Sequence, residues 1–294
     1  MTENPEQVQW RVDVSAGVEL AEHPIWDDAT DTLVWVDVLG GNVHRTGSTE
    51  YAWSAHLGAV VGAAGLRRGG GLIVAVDEEF AFLDAAGRPD RDRVRAPVGV
   101  GTRFNDAACD PGGRFLAGTA ALDGTSSVAQ LLQLQPDGRI DVLLEGLVES
   151  NGLDWSSDGT TLYFVDSGDP CIRRYDYDVQ TGRLGPRRAD LATFSQLEGV
   201  PDGLTVDSEG DVWVALWQGG VVRRYASDGR LRASLAAPVS QPTCPGFGGS
   251  KRDRLYLASG WEGMSAEARL VEPLAGCVLS ADVQATGRPA YRFG

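Results

Sequence analysis

One spacing restricts the possible fold more than any other feature of this chain. Six short apolar runs recur along it: Thr32–Asp37, Gly71–Val76, Arg114–Gly118, Thr161–Val165, Asp211–Ala215 and Arg254–Ala258. Each is rich in β-branched or aromatic residues and is bounded by Gly, Asp or Asn, the composition and punctuation of a strand. Ahead of each run lies a Gly- or Asp-rich turn, and ahead of that an apolar anchor: Trp26, Leu66, Cys109, Trp155, Val206 and Phe247. Successive anchors are 40, 43, 46, 51 and 41 residues apart. A period of about 40–50 residues holding several short strands is the mark of a β-propeller. Long helical periodicity is almost absent. The sequence therefore predicts an all-β chain, a six-bladed β-propeller with four-stranded blades and a central channel. Asp137-Gly138, Thr181-Gly182 and Asp228-Gly229 are predicted hairpin turns, where Gly takes the positive φ such turns need. The segment Val8–Val14 is expected to pair into the last blade and close the ring, removing a free sheet edge. No Pro/Ser-rich linker interrupts the pattern, so residues 1–294 are expected to form a single propeller domain.

Charge narrows the partners. The 294 residues carry 41 acidic and 26 basic side chains, a formal net charge of −15. Such a field repels phosphate backbones and anionic membrane surfaces, so neither nucleic acid nor membrane is an expected partner. The first residues lack a basic, then apolar, leader, and no apolar run reaches membrane-spanning length, so a cytoplasmic protein is expected. Cys109, Cys171, Cys244 and Cys277 are scattered without a Cys-x-x-Cys pair, which argues for reduced buried thiols rather than a zinc cluster.

The candidate chemistry lies at one offset. Four residues before the anchors stand Glu22, Gly62, Asn105, Asn151, Asp202 and Thr243. Equivalent positions in a propeller share one height around its axis, so Glu22, Asn105, Asn151 and Asp202 are predicted to form a ring at the channel. Taken singly, Asn151-Gly152 and Asp202-Gly203 read as ordinary turn dipeptides. A turn role does not require the shared offset. Two carboxylates with one or two amide carbonyls suit a divalent cation such as Ca²⁺, Mg²⁺ or Mn²⁺, with Fe²⁺ or Zn²⁺ as alternatives. Arg103 is placed to point into the mouth and donate to a polar ligand, or else to bridge two blades. Asp123 is read as an acceptor for substrate hydroxyls or as a plain Asp-Gly turn, and Trp217 as a stacking surface or rim packing. His23, His44 and His56 show no His-x-x-x-His spacing, and no Gly-x-Ser-x-Gly elbow is present, so a serine-triad hydrolase is not supported.

At these residues the sequence resembles the regucalcin (senescence marker protein), gluconolactonase and luciferin-regenerating enzyme family. The matching blocks are Ala21–Trp26, Arg103–Asp106 with Asp110–Phe115, Ala117–Thr119, Ser150–Trp155, Pro201–Leu204 with Asp207, and Phe247–Gly249. The resemblance implies one divalent metal held by Glu22, Asn151 and Asp202. It implies sugar-lactone binding by Arg103 and Asn105, with Asp123 where the family often has an acidic side chain, and Asp202 as general base. The implied protein is a lactonase that hydrolyses a small aldonolactone to the aldonic acid, as a monomer or weak homo-oligomer. A phosphotriesterase-like hydrolase and a non-enzymatic calcium-binding regulator are the rival readings. Two positions depart from the family. His23 stands where a small residue, often Gly, is common, which crowds the metal side of the pocket or alters metal preference. Asp123 is one methylene shorter than the Glu of animal members, which shifts its contacts with substrate hydroxyls.

Overall fold

The computed structural model describes residues 5–47 and 51–294. Six blades of four antiparallel strands follow the sequence repeat, and two of the sheets gain a fifth strand, Ala192–Thr193 beside Asp169–Asp178 and Arg292–Phe293 beside Val61–Arg67. The innermost strands are Ala21–Asp27, Val61–Arg67, Thr102–Cys109, Ser150–Trp155, Val200–Val206 and Pro242–Gly248. Each packs beside the next, and Pro242–Gly248 packs beside Ala21–Asp27, so the six surround an axis. The apolar runs form the second strands, Thr32–Asp37, Leu72–Val76, Phe115–Ala121, Thr161–Asp166, Val212–Trp217 and Arg254–Ser259, which are almost wholly buried. A strand covered on both faces needs apolar residues at every position, which is why these runs are continuous rather than alternating. The outer strands are wetter; Pro89–Arg95 is exposed along nearly its whole length. Glycines 138, 182 and 229 take φ of 88°, 71° and 90°, as their hairpins require.

The core lies between blades. Val34 and Val36 of blade 1 share a cluster with Leu72 and Val74 of blade 2, and Leu33 and Trp35 share one with Tyr256 and Ala258 of blade 6. Burying each such side chain stabilises by about 1.5–3 kcal/mol, so blade contacts hold the ring shut. The N-terminal segment closes it as predicted, over a shorter span. Arg11–Val14 pairs with Val278–Asp282 as the outermost strand of blade 6, while Glu6 bridges Leu235 of blade 5. Among the described residues one short α-helix, Ala266–Val271, interrupts the β pattern, capped by Ser265. No helix is long and apolar enough to cross a membrane. All four cysteines are buried and free.

A second closure has no counterpart in the repeat. Residues 286–294 run across one end of the ring. Arg292–Phe293 adds a parallel strand to Val61–Arg67. The Gly294 N–H donates to Gly113, Ser208 donates to Thr286, and Gly287 donates to Arg252. Arg288 pairs with Asp154, and Arg292 pairs with Asp27 at 2.6 Å. Those contacts reach all six blades.

Candidate active site

All six innermost strands carry a register break, and it falls at the predicted offset. The breaks lie between Glu22 and Ile25, Val61 and Ala63, Phe104 and Ala107, Ser150 and Leu153, Pro201 and Leu204, and Pro242 and Pro245. A bulge inserts residues without a ladder partner and re-aims their side chains. Here it brings Asn105, Asn151 and Asp202 to one cavity, with Glu22 at the edge of its own bulge, while Thr243 Oγ1 donates to the Ala21 carbonyl of blade 1. The turn reading of Asn151-Gly152 and Asp202-Gly203 is corrected by this geometry: both dipeptides sit inside strands. Their glycines serve close approach between neighbouring strands. A Cβ on Gly152 would lie 2.3 Å from the Leu204 nitrogen, and one on Gly203 would lie 2.5 Å from Cys244.

The ring opens on a cavity of about 510 Å³. Glu22, Asn105, Asn151 and Asp202 form its floor, and all are buried or nearly so. Leu20, Arg103, Glu149 and Val200 form the tier above. Each stands two residues before a ring residue, the interval that returns a strand side chain to the same face. Ser167, Trp217 and Glu262 complete the wall from the ends of the second strands and the loops after them. Sequence reasoning missed Glu149, Ser167 and Glu262. Glu149 was open to discovery by moving the shared offset back two positions, as Arg103 stands to Asn105. Ser167 and Glu262 carry no such signal. Trp217 lies in the wall, as one of its two readings has it.

The two ring amides are held in opposite senses. Asn151 Nδ2 donates to Ser167 Oγ at 3.0 Å, and Ser167 Oγ donates to the Pro201 carbonyl at 2.9 Å. That leaves the Asn151 carbonyl oxygen free. Asn105 Nδ2 donates to the Ser150 carbonyl at 3.0 Å, and its Oδ1 accepts from Arg103 Nη1 at 2.6 Å. Its oxygen is thus committed to the guanidinium. Arg103 also reaches Glu149, 3.9 Å away, so it both spans two blades and lines the mouth.

Glu22 and Asp202 face one channel. Burial first, and then the neighbouring Asp106 carboxylate, hold Glu22 well above the usual carboxylate range. Burial first, and then Glu22, do the same to Asp202. Burial also raises Glu149, against the opposing pull of Arg103. Desolvated like charges this close are costly without a cation. Two carboxylates and a free amide oxygen suit a hard or borderline divalent ion, and so few protein donors leave positions for water and a ligand.

Asp123 lies apart from this set. It sits in an exposed turn after Phe115–Ala121, near the mouth end where Ala120 bridges Glu149, but it does not line the cavity. Its carboxylate accepts from the Thr125 and Ser126 N–H groups and from Ser126 Oγ. The Ser126 side chain is the largest cause holding it down to about 2.

An all-β propeller of six blades, with inner bulges that collect oxygen donors around the axis, defines a class of channel-centred propellers. Residues 20–260 match the family described as SMP-30/Gluconolactonase/LRE-like region. Regucalcin of Danio rerio is 36% identical over 280 residues, covering 94% of this chain and 95% of that one. A 6-deoxy-6-sulfogluconolactonase of Pseudomonas putida is 35% identical over 271 residues, covering 91% and 92%. The crystal structure of a calcium-binding protein, regucalcin, from Agrobacterium tumefaciens superposes with a TM-score of 0.88 at 26% identity, covering 98% of each chain. The chain belongs to the SMP-30/gluconolactonase/LRE-like family.

Proposed function

We propose that this protein is a divalent-metal-dependent sugar lactonase that hydrolyses an aldonolactone to its aldonic acid. One observation carries the reading: Glu22 and Asp202, from different blades, share a buried channel with the Asn151 oxygen that Ser167 leaves free. Glu22, Asn151 and Asp202 would hold the cation. When bound, the cation polarises the lactone carbonyl and stabilises the charge that develops on its oxygen. Asp202, which faces the channel beside Glu22, accepts the proton of the attacking water. Arg103 and Asn105, locked to each other, present a fixed donor face to ring hydroxyls. Glu149 and Glu262 accept from hydroxyls farther out, and Trp217 offers an apolar wall to the sugar ring. The lactonase of Pseudomonas putida, similar along nearly the full chain, supports the substrate class.

The test is a pH-indicator assay on purified protein. A panel of aldonolactones is offered to protein stripped with EDTA and then restored with Ca²⁺, Mg²⁺, Mn²⁺, Zn²⁺ or Fe²⁺. Proton release above the spontaneous rate is expected only after metal is restored. Asp202→Asn should lower kcat by about 10²–10⁴-fold, the usual contribution of a positioned base, with the β fold intact by circular dichroism. Lactones left at the spontaneous rate under every metal would overturn the proposal and favour a metal-binding regulator.

A further inference from the structure

The bulges build a second tier of side chains just beneath the ring. Residues directly following ring positions include His23, Asp106 and Cys244, from blades 1, 3 and 6. Each offers one donor atom, and the three atoms lie within 4.8 Å of one another. His23 Nδ1 lies 2.6 Å from Asp106 Oδ1. His23 is 8% exposed, yet its Nε2 is buried with no hydrogen-bond partner. A buried ring nitrogen is seldom left this way, and an unpaired one calls for an occupant. The backbone adds to the case, because His23 takes φ of 56°, a region that side-chain-bearing residues enter at a cost.

We propose that His23, Asp106 and Cys244 form a second cation site, selective for a thiophilic divalent ion of the zinc class. Nitrogen, oxygen and thiolate donors to such an ion bond at about 2.0–2.3 Å, which places them about 3–4 Å apart, so small shifts of these side chains complete the set, with His23 and Asp106 parting slightly from their 2.6 Å contact. The thiolate separates this site from the all-oxygen ring, because soft sulfur disfavours calcium and magnesium. Charge favours double occupancy. Glu22 and Asp202 balance one divalent ion formally, and Asp106 with the Cys244 thiolate balances another. An entry path exists: all three residues line a cavity of about 840 Å³ on the far side of the ring, bounded below by Arg288 and Tyr291 of the C-terminal segment. A Cys-His-Asp nucleophile is the competing use of these residues. Reactive thiols sit in electropositive surroundings, whereas Cys244 is buried beside three carboxylates, Asp106, Glu22 and Asp202.

Cobalt(II) provides the test. Metal-stripped protein is titrated with Co²⁺ while the thiolate-to-cobalt charge-transfer band in the near ultraviolet is followed and bound metal is counted by mass spectrometry. We expect the band to appear and saturate, to be displaced by Zn²⁺, and to be lost in Cys244→Ser and in His23→Gln. It should persist in Asp202→Asn, which disables the ring above, so the outcome is independent of the lactonase assay. Absence of the band in wild-type protein at saturating cobalt would overturn the site. So would its survival in Cys244→Ser, which would move the thiolate to another cysteine.

Discussion

Asn105 and Asn151 show how one side-chain type acquires two tasks from its neighbours. Both sit at the same bulge of adjacent blades, and only the hydrogen bonds differ. Ser167 takes the NH₂ end of Asn151, while Arg103 takes the carbonyl end of Asn105. Ser167→Ala should therefore free the Asn151 amide to rotate and weaken divalent-metal affinity about 10–100-fold, the usual cost of losing a supporting partner. Chelator competition reads that change directly. Glu22 and Asp202 give a second expectation. Their carboxyls are raised in the folded chain, so in metal-free protein the protonated forms are the favoured ones. The associated stability is complete below the ordinary carboxylate range and is lost as pH rises through the raised values. Melting temperatures in EDTA should fall over that interval. Asp202→Asn should flatten the fall, and added divalent metal should remove it.

Strands explain what the sequence made legible. Apolar anchors such as Trp155 and Val206 are periodic because five blades bury that position and blade 1 half-buries it at Trp26, so blade number and ring height could be read directly. The bulge could not be read. Asn-Gly and Asp-Gly locally favour a turn, and the packing of the next blade overrides that preference and holds both dipeptides in strands. Ser167 and Glu262 were hidden for a related reason: they enter the cavity from loop ends, where no repeat is imposed. Asn105 and Asp202 line the cavity from the shared offset and Arg103 lines it from two residues before that offset, whereas Asp123 turns its carboxylate to its own loop. Gly203 allows the bulge geometry to be tested. A methyl group there meets Cys244 at 2.5 Å, so Gly203→Ala should destabilise by about 1–3 kcal/mol, the range for overpacking a filled site. Urea denaturation would show it as a lowered midpoint at unchanged slope.

The two ends of the chain close the propeller in different directions. The first strand completes a sheet, and the last residues lie across the channel base. Asp154 is central to the second closure: burial raises its carboxyl, while Arg288 is the largest influence lowering it. Arg288→Ala should cost about 1–3 kcal/mol at neutral pH, because it leaves the partly buried Asp154 carboxylate with the neutral Trp155 and Val206 N–H groups as partners, and less at acid pH, where Asp154 can protonate. Denaturant midpoints at two pH values would establish both effects.

The acidic mouth has a consequence for traffic. Glu149 and Glu262 border the same opening as the ring, on a chain of net charge −15. For a lactonase, the incoming lactone is neutral and meets no electrostatic barrier there. Its hydrolysis product is an anion, created in the channel and repelled by the carboxylates it must pass. The reaction changes the sign of its own exit work: once the ring opens, the field that ignored the substrate drives the product out.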